Sequence, residues 1–324
     1  MGDRTPGRGH EGGTVADRLR AGAGAMTSPL VSVIVPVHNG RAFIGDALRS
    51  VFGQAHRPIE CIVVDDGSTD GTAEVVAAIA PDAICIRQAR GGVSAARNAG
   101  AAAAAGDLLA FLDADDVWLP EKLTLQVREL ARSPYPMVMC GAQIVDADLR
   151  PRGELRMALP AAQPLLGMVV FGTGVRVSCS STALMTRAAF GGLDGFDANL
   201  STSADWDLLA RFLLAFGGVA YVDRPLIKYR MHAGGMSRSI AAMEHDMRRA
   251  YDELFARAEL PPALRTHRRE AYASMRLMLA GSYWQVGART AALRNAGVAL
   301  AWRPRVARRL LRGALAALPR RGAW

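Results

Sequence analysis

The 324-residue chain is half hydrophobic, with a mean hydropathy of +0.11, a formal net charge of +9 and a pI near 10.0. That is enough apolar material for a sizeable core, which excludes a disordered or fibrous chain, and no apolar run reaches the roughly 18 residues that a membrane-spanning helix needs. Aromatic residues make up only 6% and do not interleave with the basic ones, so a base-stacking surface for nucleic acid is not indicated. The positive charge points instead to a diphosphate or an anionic membrane.

Residues 1–27 are rich in Gly, Arg and Ala and lack the apolar core of a signal peptide. They read as a disordered tail, with Met26 a candidate start. Four cysteines, Cys61, Cys85, Cys140 and Cys179, are widely spaced without a C-x-x-C pair. Three lie in apolar runs, so buried thiols in a reducing compartment, the cytoplasm, are expected.

From residue 31 short apolar runs alternate with helical patterns. "VSVIVPV" (31–37), "ECIVVDD" (60–66), "AICIR" (83–87) and "LLAFLD" (108–113) predict strands, and 41–53, 71–79, 94–105 and 119–132 predict helices. Strands that are continuously apolar and each followed by a helix predict an α/β fold whose parallel sheet is covered on both faces. In such sheets ligands bind beyond the carboxyl ends of the strands. His38 and Asn39 follow the first run, Asp65 and Asp66 the second, and Asp113, Asp115 and Asp116 the fourth.

Three carboxylates within four residues repel one another unless a cation or hydrogen-bond donors offset the charge, and hard oxygen ligands in this number suit Mg²⁺ or Mn²⁺. "VVDDGSTDGTAEVV" (63–76) turns at Gly67-Ser68, and Asp70 or Thr72 is set to cap the next helix. In "RGGVSAARNAGAAAAAGD" (90–107), Ser94 is the expected N-cap of a low-bulk helix that packs close to the sheet. Arg97 in its first turn opposes the helix dipole, so an acidic or anionic partner is expected.

Beyond residue 137 mixed strands follow: "MVMCGAQIV", "STALMT", "GVAYVD" and "LIKYRMH". "SADWDLLARFLLAFGG" (203–218) predicts an amphipathic helix started by Ser203 or Asp205, and His232 lies in a Gly-rich loop after the last strand. From about 240 the pattern is helical. The reading is therefore a tail (1–27), an α/β domain (28–238) and a helical region (239–324). Within the last, "RVARRLLRGALAAL" (305–318) sets Val306, Leu310, Leu311, Leu315 and Leu318 opposite Arg305, Arg308, Arg309 and Arg312. This basic amphipathic pattern suits either docking on its own domain or peripheral attachment to the inner face of an anionic membrane.

Six motifs in order, "VSVIVPVHNG", "VVDDGSTDGT", "GGVSAARNAG", "FLDADDVWLPEKL", "GLDGFDANLSTSADWDLLAR" and "YRMH", make the chain resemble the family 2 glycosyltransferases over roughly residues 30–235. The resemblance implies a GT-A fold: a Rossmann-like, mostly parallel sheet flanked by helices, here with a C-terminal helical extension. It implies an inverting, metal-dependent transfer of a sugar, from a UDP-sugar above all, to a hydroxyl acceptor in cell-envelope or polysaccharide glycan synthesis, with no nucleic-acid partner.

Pro36, His38, Asn39 and Asp66 are similar to the family's nucleobase and ribose contacts, Arg97 lies near the base or diphosphate, and Asp113 and Asp115 match its D-x-D. Asp115 or Asp116 would ligate Mn²⁺ or Mg²⁺, with His232 near the metal or diphosphate. Asp205 matches the general base, although Ala204 stands where many members carry Glu, and Asp207 is the fallback.

Three rival readings compete with this one. A haloacid-dehalogenase-like phosphatase would use Asp113 as nucleophile and Asp115 as acid, but leaves "VDDGSTD" and "SADWD" unexplained. A dinucleotide-dependent dehydrogenase lacks its G-x-G-x-x-G after the first strand. A non-catalytic carbohydrate-binding protein of the same fold is the remaining alternative.

Overall fold

The structure, a computed structural model, describes residues 28–157, 162–170, 180–236 and 239–303. Residues 1–27, Cys179 and the basic stretch 305–318 lie outside the described residues.

Strands β1 (Val31–Val37), β2 (Ile59–Asp65), β3 (Ile84–Arg87) and β4 (Leu108–Phe111) form the parallel half of the sheet. They continue into β8 (Leu184–Thr186), β6 (Met137–Val145), β9 (Ala220–Arg230) and β5 (Val117–Trp118), in the order β3-β2-β1-β4-β8-β6-β9-β5, while β7 (Pro151–Leu155) pairs with β6. In this second half, among the described residues, β6 and β9 pair in parallel and the β4–β8, β6–β8, β6–β7 and β5–β9 pairs are antiparallel.

The continuous apolar runs are buried because the sheet is covered on both faces. On one face Val33, Val35, Val63 and Ala110 pack with Ile44, Ala47 and Leu48 of α1 (Ile44–Phe52) and with Leu123 and Leu130 of α4 (Lys122–Arg132). On the other, Ile34, Ile62, Val64, Leu109 and Phe111 meet Ala96 of α3 (Val93–Ala103). Low bulk is required there: a Cβ added at Gly100 would lie 2.5 Å from Cγ2 of Ile34 and 3.1 Å from Cγ2 of Val64. The remaining parallel crossover is α2 (Thr72–Ile79).

Three local expectations change. The apolar runs at 218–223 and 226–232 form one strand, β9, whose register against β6 shifts on either side of Gly141 and so absorbs Pro225. Helix α3 begins at Val93 after Gly92 (φ +89°), not at a Ser94 cap; Ser94 Oγ donates instead to Leu200 O at 2.6 Å. Cys61 and Cys140 are buried, but Cys85 is exposed because β3 is the sheet's edge strand.

Among the described residues the helical region does not form a separate core. The elements α5 (Pro164–Val170), α6 (Arg187–Gly192) and α7 (Ala204–Phe216) lead to α8 (Ile240–Ala256), α9 (Pro262–Thr266), α10 (Arg268–Gln285) and α11 (Arg289–Trp302). Met247, Ala250, Tyr251, Leu254 and Met275 join Phe111, Trp206 and Ile34 in one apolar cluster. Among the described residues no helix is long and apolar enough to cross a membrane.

Candidate active site

The exits of β2, β1 and β4 are neighbours because these strands are neighbours in the sheet. Pro36 is buried in β1 opposite Val64, just before the strand ends. Asn39 then takes a left-handed turn (φ +51°), a conformation that Asn tolerates better than most residues. Its amide donates to Ser68 Oγ and its Oδ1 accepts from Thr69 N, both at 2.9 Å. His38 donates from Nδ1 to Asp66 O at 2.8 Å. Beside them Asp70 Oδ1 accepts from Thr72 N at 3.0 Å and Oδ2 from Arg41 N at 3.1 Å, so Asp70 serves the turn into α2.

Asp66 is 4% exposed. Its Oδ1 accepts from Gly91 N (2.7 Å) and Gln88 Nε2 (2.8 Å), and Oδ2 from Gly92 N (2.8 Å). Burial alone would raise its carboxyl pKa, but the Gly91, Gln88 and Gly92 donors outweigh that cost and hold it below the usual value. Asp66 thus fixes the Gly91-Gly92 turn. Asp65, by contrast, accepts from Ser68 N at 2.8 Å and starts the turn.

Each acid of the "DADD" stretch has its own partner. Arg97, 2% exposed, donates from one terminal nitrogen to Asp113 Oδ1 at 2.6 Å and from the other to Asp205 Oδ1 at 3.0 Å, with its guanidinium 5.0 Å from the Phe196 ring centroid. The cation that opposed the dipole of α3 therefore has its expected acidic partners. Asp115 Oδ2 lies 2.9 Å from His232 Nε2. Burial raises the Asp115 pKa, the charge on Asp113 raises it further, and His232 partly offsets both.

Asp116 is 1% exposed and accepts from Ser181 Oγ (2.6 Å) and Arg230 N (3.0 Å). Burial, then Asp115 and Asp113, push its carboxyl well above the ordinary range. With both oxygens engaged by protein donors, it ties the loop to β9.

Asp205 occupies the first turn of α7, and Ala204 before it is wholly buried, where a Glu would have to enter the core. Besides Arg97, Asp205 accepts at Oδ2 from Ser180 N (3.0 Å). Burial is the largest influence on its carboxyl; Arg97 opposes it, Asp113 adds to it, and the net shift is upward. Asp207 is not at this site. Its Oδ2 accepts from both Nε (2.8 Å) and a terminal nitrogen (2.6 Å) of Arg211, which also holds the carbonyls of Leu193 and Gly195.

Several supporting residues carry little or no signal in the sequence. Arg230 donates from its guanidinium to Asp115 O (2.7 Å), Ala147 O (2.6 Å) and Asp46 Oδ2 (2.9 Å), and lies 4.6 Å from the Phe43 ring, itself 4.6 Å from the His232 ring. Ser181 Oγ also accepts from Asp113 N at 3.1 Å. Asn98 donates to Phe196 O (2.7 Å) and accepts from Phe196 N (2.9 Å), fixing the loop before α7. Only Arg230 could have been found, as a buried-strand arginine two residues from His232; the others are joined by contacts far apart in the chain.

Among the described residues no group of three His, Cys, Asp or Glu side chains gathers as a metal cage. One carboxylate oxygen and one imidazole nitrogen 2.9 Å apart still suit a cation that keeps waters and phosphate oxygens as its other ligands.

Residues 32–193, half of the chain, match the family model described as Glycosyl transferase family 2. The chain belongs to glycosyl transferase family 2. A protein from Nostoc sp. named as an uncharacterized glycosyltransferase is 39% identical over 148 residues, which cover 44% of this chain and 46% of that protein. The chain thus spans less than half the length of that relative. Among solved structures, S. aureus TarS 1-349 in complex with UDP-GlcNAc superposes with a TM-score of 0.61 at 19% identity, covering 88% of this chain and 87% of that one. The mannosyltransferase PcManGT from Pyrobaculum calidifontis, in complex with GDP-Man and Mn²⁺, gives 0.57 at 19% identity over 94% and 86%. At these identities the likeness is one of fold, and the family 2 domain here has the curled, helix-flanked sheet of the GT-A type.

Proposed function

We propose that the chain is an inverting, metal-dependent glycosyltransferase that moves a sugar from a nucleoside-diphosphate sugar, with UDP-sugars the first class to test, onto a hydroxyl acceptor of a cell-envelope or polysaccharide glycan. The observation that supports it best is the Arg97 clamp: one buried guanidinium holds both Asp113, from the D-x-D at the exit of β4, and Asp205, at the start of α7. Donor-side acid and acceptor-side base are thereby neighbours across one cation. The phosphatase reading gives no reason for Asp205 to be there.

In this reading His38, Asn39 and the Asp66-braced Gly91-Gly92 turn, continuous with Pro36, form the nucleoside side of the cleft, and Arg97 and Asp113 stand near the diphosphate. Asp115 and His232 would hold Mn²⁺ or Mg²⁺, which when bound neutralises charge on the departing diphosphate; the imidazole ligand favours Mn²⁺ of the two. Asp116, almost wholly buried and held by Ser181 Oγ and Arg230 N, braces the loop that carries Asp115 and is the less accessible of the two to a cation.

Asp205 takes the proton of the acceptor hydroxyl, which attacks the anomeric carbon opposite the leaving group and inverts its configuration. Its upward-shifted carboxyl suits a base, because proton affinity closer to the working pH makes transfer more favourable. The cytoplasmic side of the inner membrane is the proposed location, on the basic amphipathic pattern of 305–318.

The test is a thermal-shift screen of UDP- and GDP-sugars with Mn²⁺ or Mg²⁺, followed by nucleoside-diphosphate release on two variants. Asp205→Ala is expected to lower kcat by roughly 10²- to 10⁴-fold with nucleotide affinity retained. Asp115→Ala is expected to weaken metal-dependent nucleotide binding itself, read by calorimetry. Normal turnover in the first variant removes the base; unchanged binding in the second removes the metal site.

A further inference from the structure

We infer that Asp246, on α8 of the helical extension, is a positioning residue for the Asp205 carboxylate; the inference rests on the reading of Asp205 as the base. Helix α7 has no side-chain cap of its own: Ser203, at its N-cap position, makes no such bond. The segment leading into it is held from α8 instead. A single oxygen of Asp246, Oδ2, accepts from Ser201 N (2.8 Å) and Oγ (3.1 Å), from Thr202 N (2.8 Å) and Oγ1 (3.1 Å), and from Ser203 N (3.4 Å). Asp246 itself is 3% exposed.

The same helix grips the chain on the other side of the base. The Trp206 ring stacks on Tyr251 at 4.7 Å with an interplanar angle of 16°, and Tyr251 Oη donates to Val169 O at 2.7 Å. Asp205 is therefore the polar residue between two anchor points, Ser201–Ser203 and Trp206, both supplied by α8. Its own bonds to Arg97 and Ser180 N set where the carboxylate points; the anchors set where its backbone lies. A buried carboxylate collecting several N–H and O–H donors is a stiff joint, because releasing any of them leaves a buried polar group unsatisfied.

A base displaced by an ångström loses on the order of 10²-fold in rate while the donor, bound on the far side of the cleft, is unaffected. The experiment compares Asp246→Ala, Asp246→Asn, Thr202→Val and Asp205→Asn in the full chain. The readout is release of nucleoside diphosphate from UDP-GlcNAc or GDP-mannose, whichever is turned over, with Mn²⁺, per folded molecule by far-UV circular dichroism. Asp246→Ala is expected to lower kcat by about 10²-fold with an unchanged KM for the donor. Asp246→Asn, which keeps an acceptor oxygen, recovers most of the rate, and Thr202→Val shows a several-fold loss confined to kcat.

Glu253→Gln, on the same helix but paired with Arg249, controls for general damage to α8 and keeps the wild-type rate. Wild-type kcat in Asp246→Ala, or a loss shared equally by kcat and donor affinity, overturns the inference. If Asp246→Ala does not fold, an unchanged kcat in Thr202→Val overturns it. Asp205→Asn separates the two levels: its normal turnover removes the base reading, whereas an inactive Asp205→Asn beside a wild-type-like Asp246→Ala and Thr202→Val removes only the role of Asp246.

Discussion

The two halves of the sheet hold their candidate site residues by different means. In the parallel half, the polar side chains at the exits of β1 and β2 are braced by the loop of the neighbouring strand: Asn39 by Ser68 and Thr69, Asp66 by Gly91 and Gly92. In the mixed half and its helices, Asp205, His232 and Arg230 lie on elements paired far along the chain, and each has a partner outside that half besides any within it, such as Ser180 N within it for Asp205 and Ala147 O for Arg230. Asp205 meets Arg97, His232 meets Asp115, and Arg230 meets Asp46 and the Asp115 carbonyl. The proposed nucleoside side is therefore self-contained, and the side that carries the proposed chemistry is a seam between halves.

Arg97 tests that seam most severely. Its guanidinium bonds both Asp113 and Asp205, and it is almost fully buried. Breaking a buried ion pair by removing one partner leaves uncompensated charge and costs about 3–5 kcal/mol. Arg97→Met is expected to lose about that much in urea unfolding, and Arg97→Lys to recover little, because a point charge cannot span two carboxylates as a planar fork does. A loss below about 1 kcal/mol, the range of surface pairs, would mean that the halves do not depend on each other at this point.

The same division explains what could be read from the sequence. The four parallel strands, their helices and the polar exits were legible because apolar runs and turn residues act over a few positions. Even the need of Arg97 for an acid followed from its place in the first turn of a helix; which acids would answer did not, since Asp205 lies 108 residues away. Asp113, Asp115 and Asp116 look alike in sequence, and only the donors that the fold brings, Arg97, His232 and the Ser181–Arg230 pair, give them separate surroundings. Ser94 had the chemistry of a cap but found Leu200 O instead. Asp207, named only as the fallback, is held elsewhere: Arg211, four residues on, was visible, and the two form an i,i+4 ion pair on one helix face. Asp246 left no trace, because nothing near it in sequence marks it as the anchor of Ser201–Ser203.

Asp66 gives the smaller and more local test. Its carboxylate is closed within the parallel half by Gln88, Gly91 and Gly92, so replacing it should weaken folding without disturbing the Arg97 seam. In Asp66→Asn one acceptor oxygen becomes a donor facing a backbone N–H, an unsatisfied contact that costs about 1–3 kcal/mol at neutral pH. The sign of the pH dependence follows from the depressed pKa. A carboxyl held below its ordinary value of 3.8 adds stability that is fully present above that value and is lost as pH falls through the folded pKa. The gap between wild type and Asp66→Asn should therefore be constant from pH 7 to about pH 5 and shrink at more acid pH, as the wild-type carboxyl takes up its proton. Chemical denaturation at a series of pH values reads this directly. A gap that stayed level into the acid range would mean that the Gly91-Gly92 turn is held by its own backbone conformation rather than by the charge on Asp66.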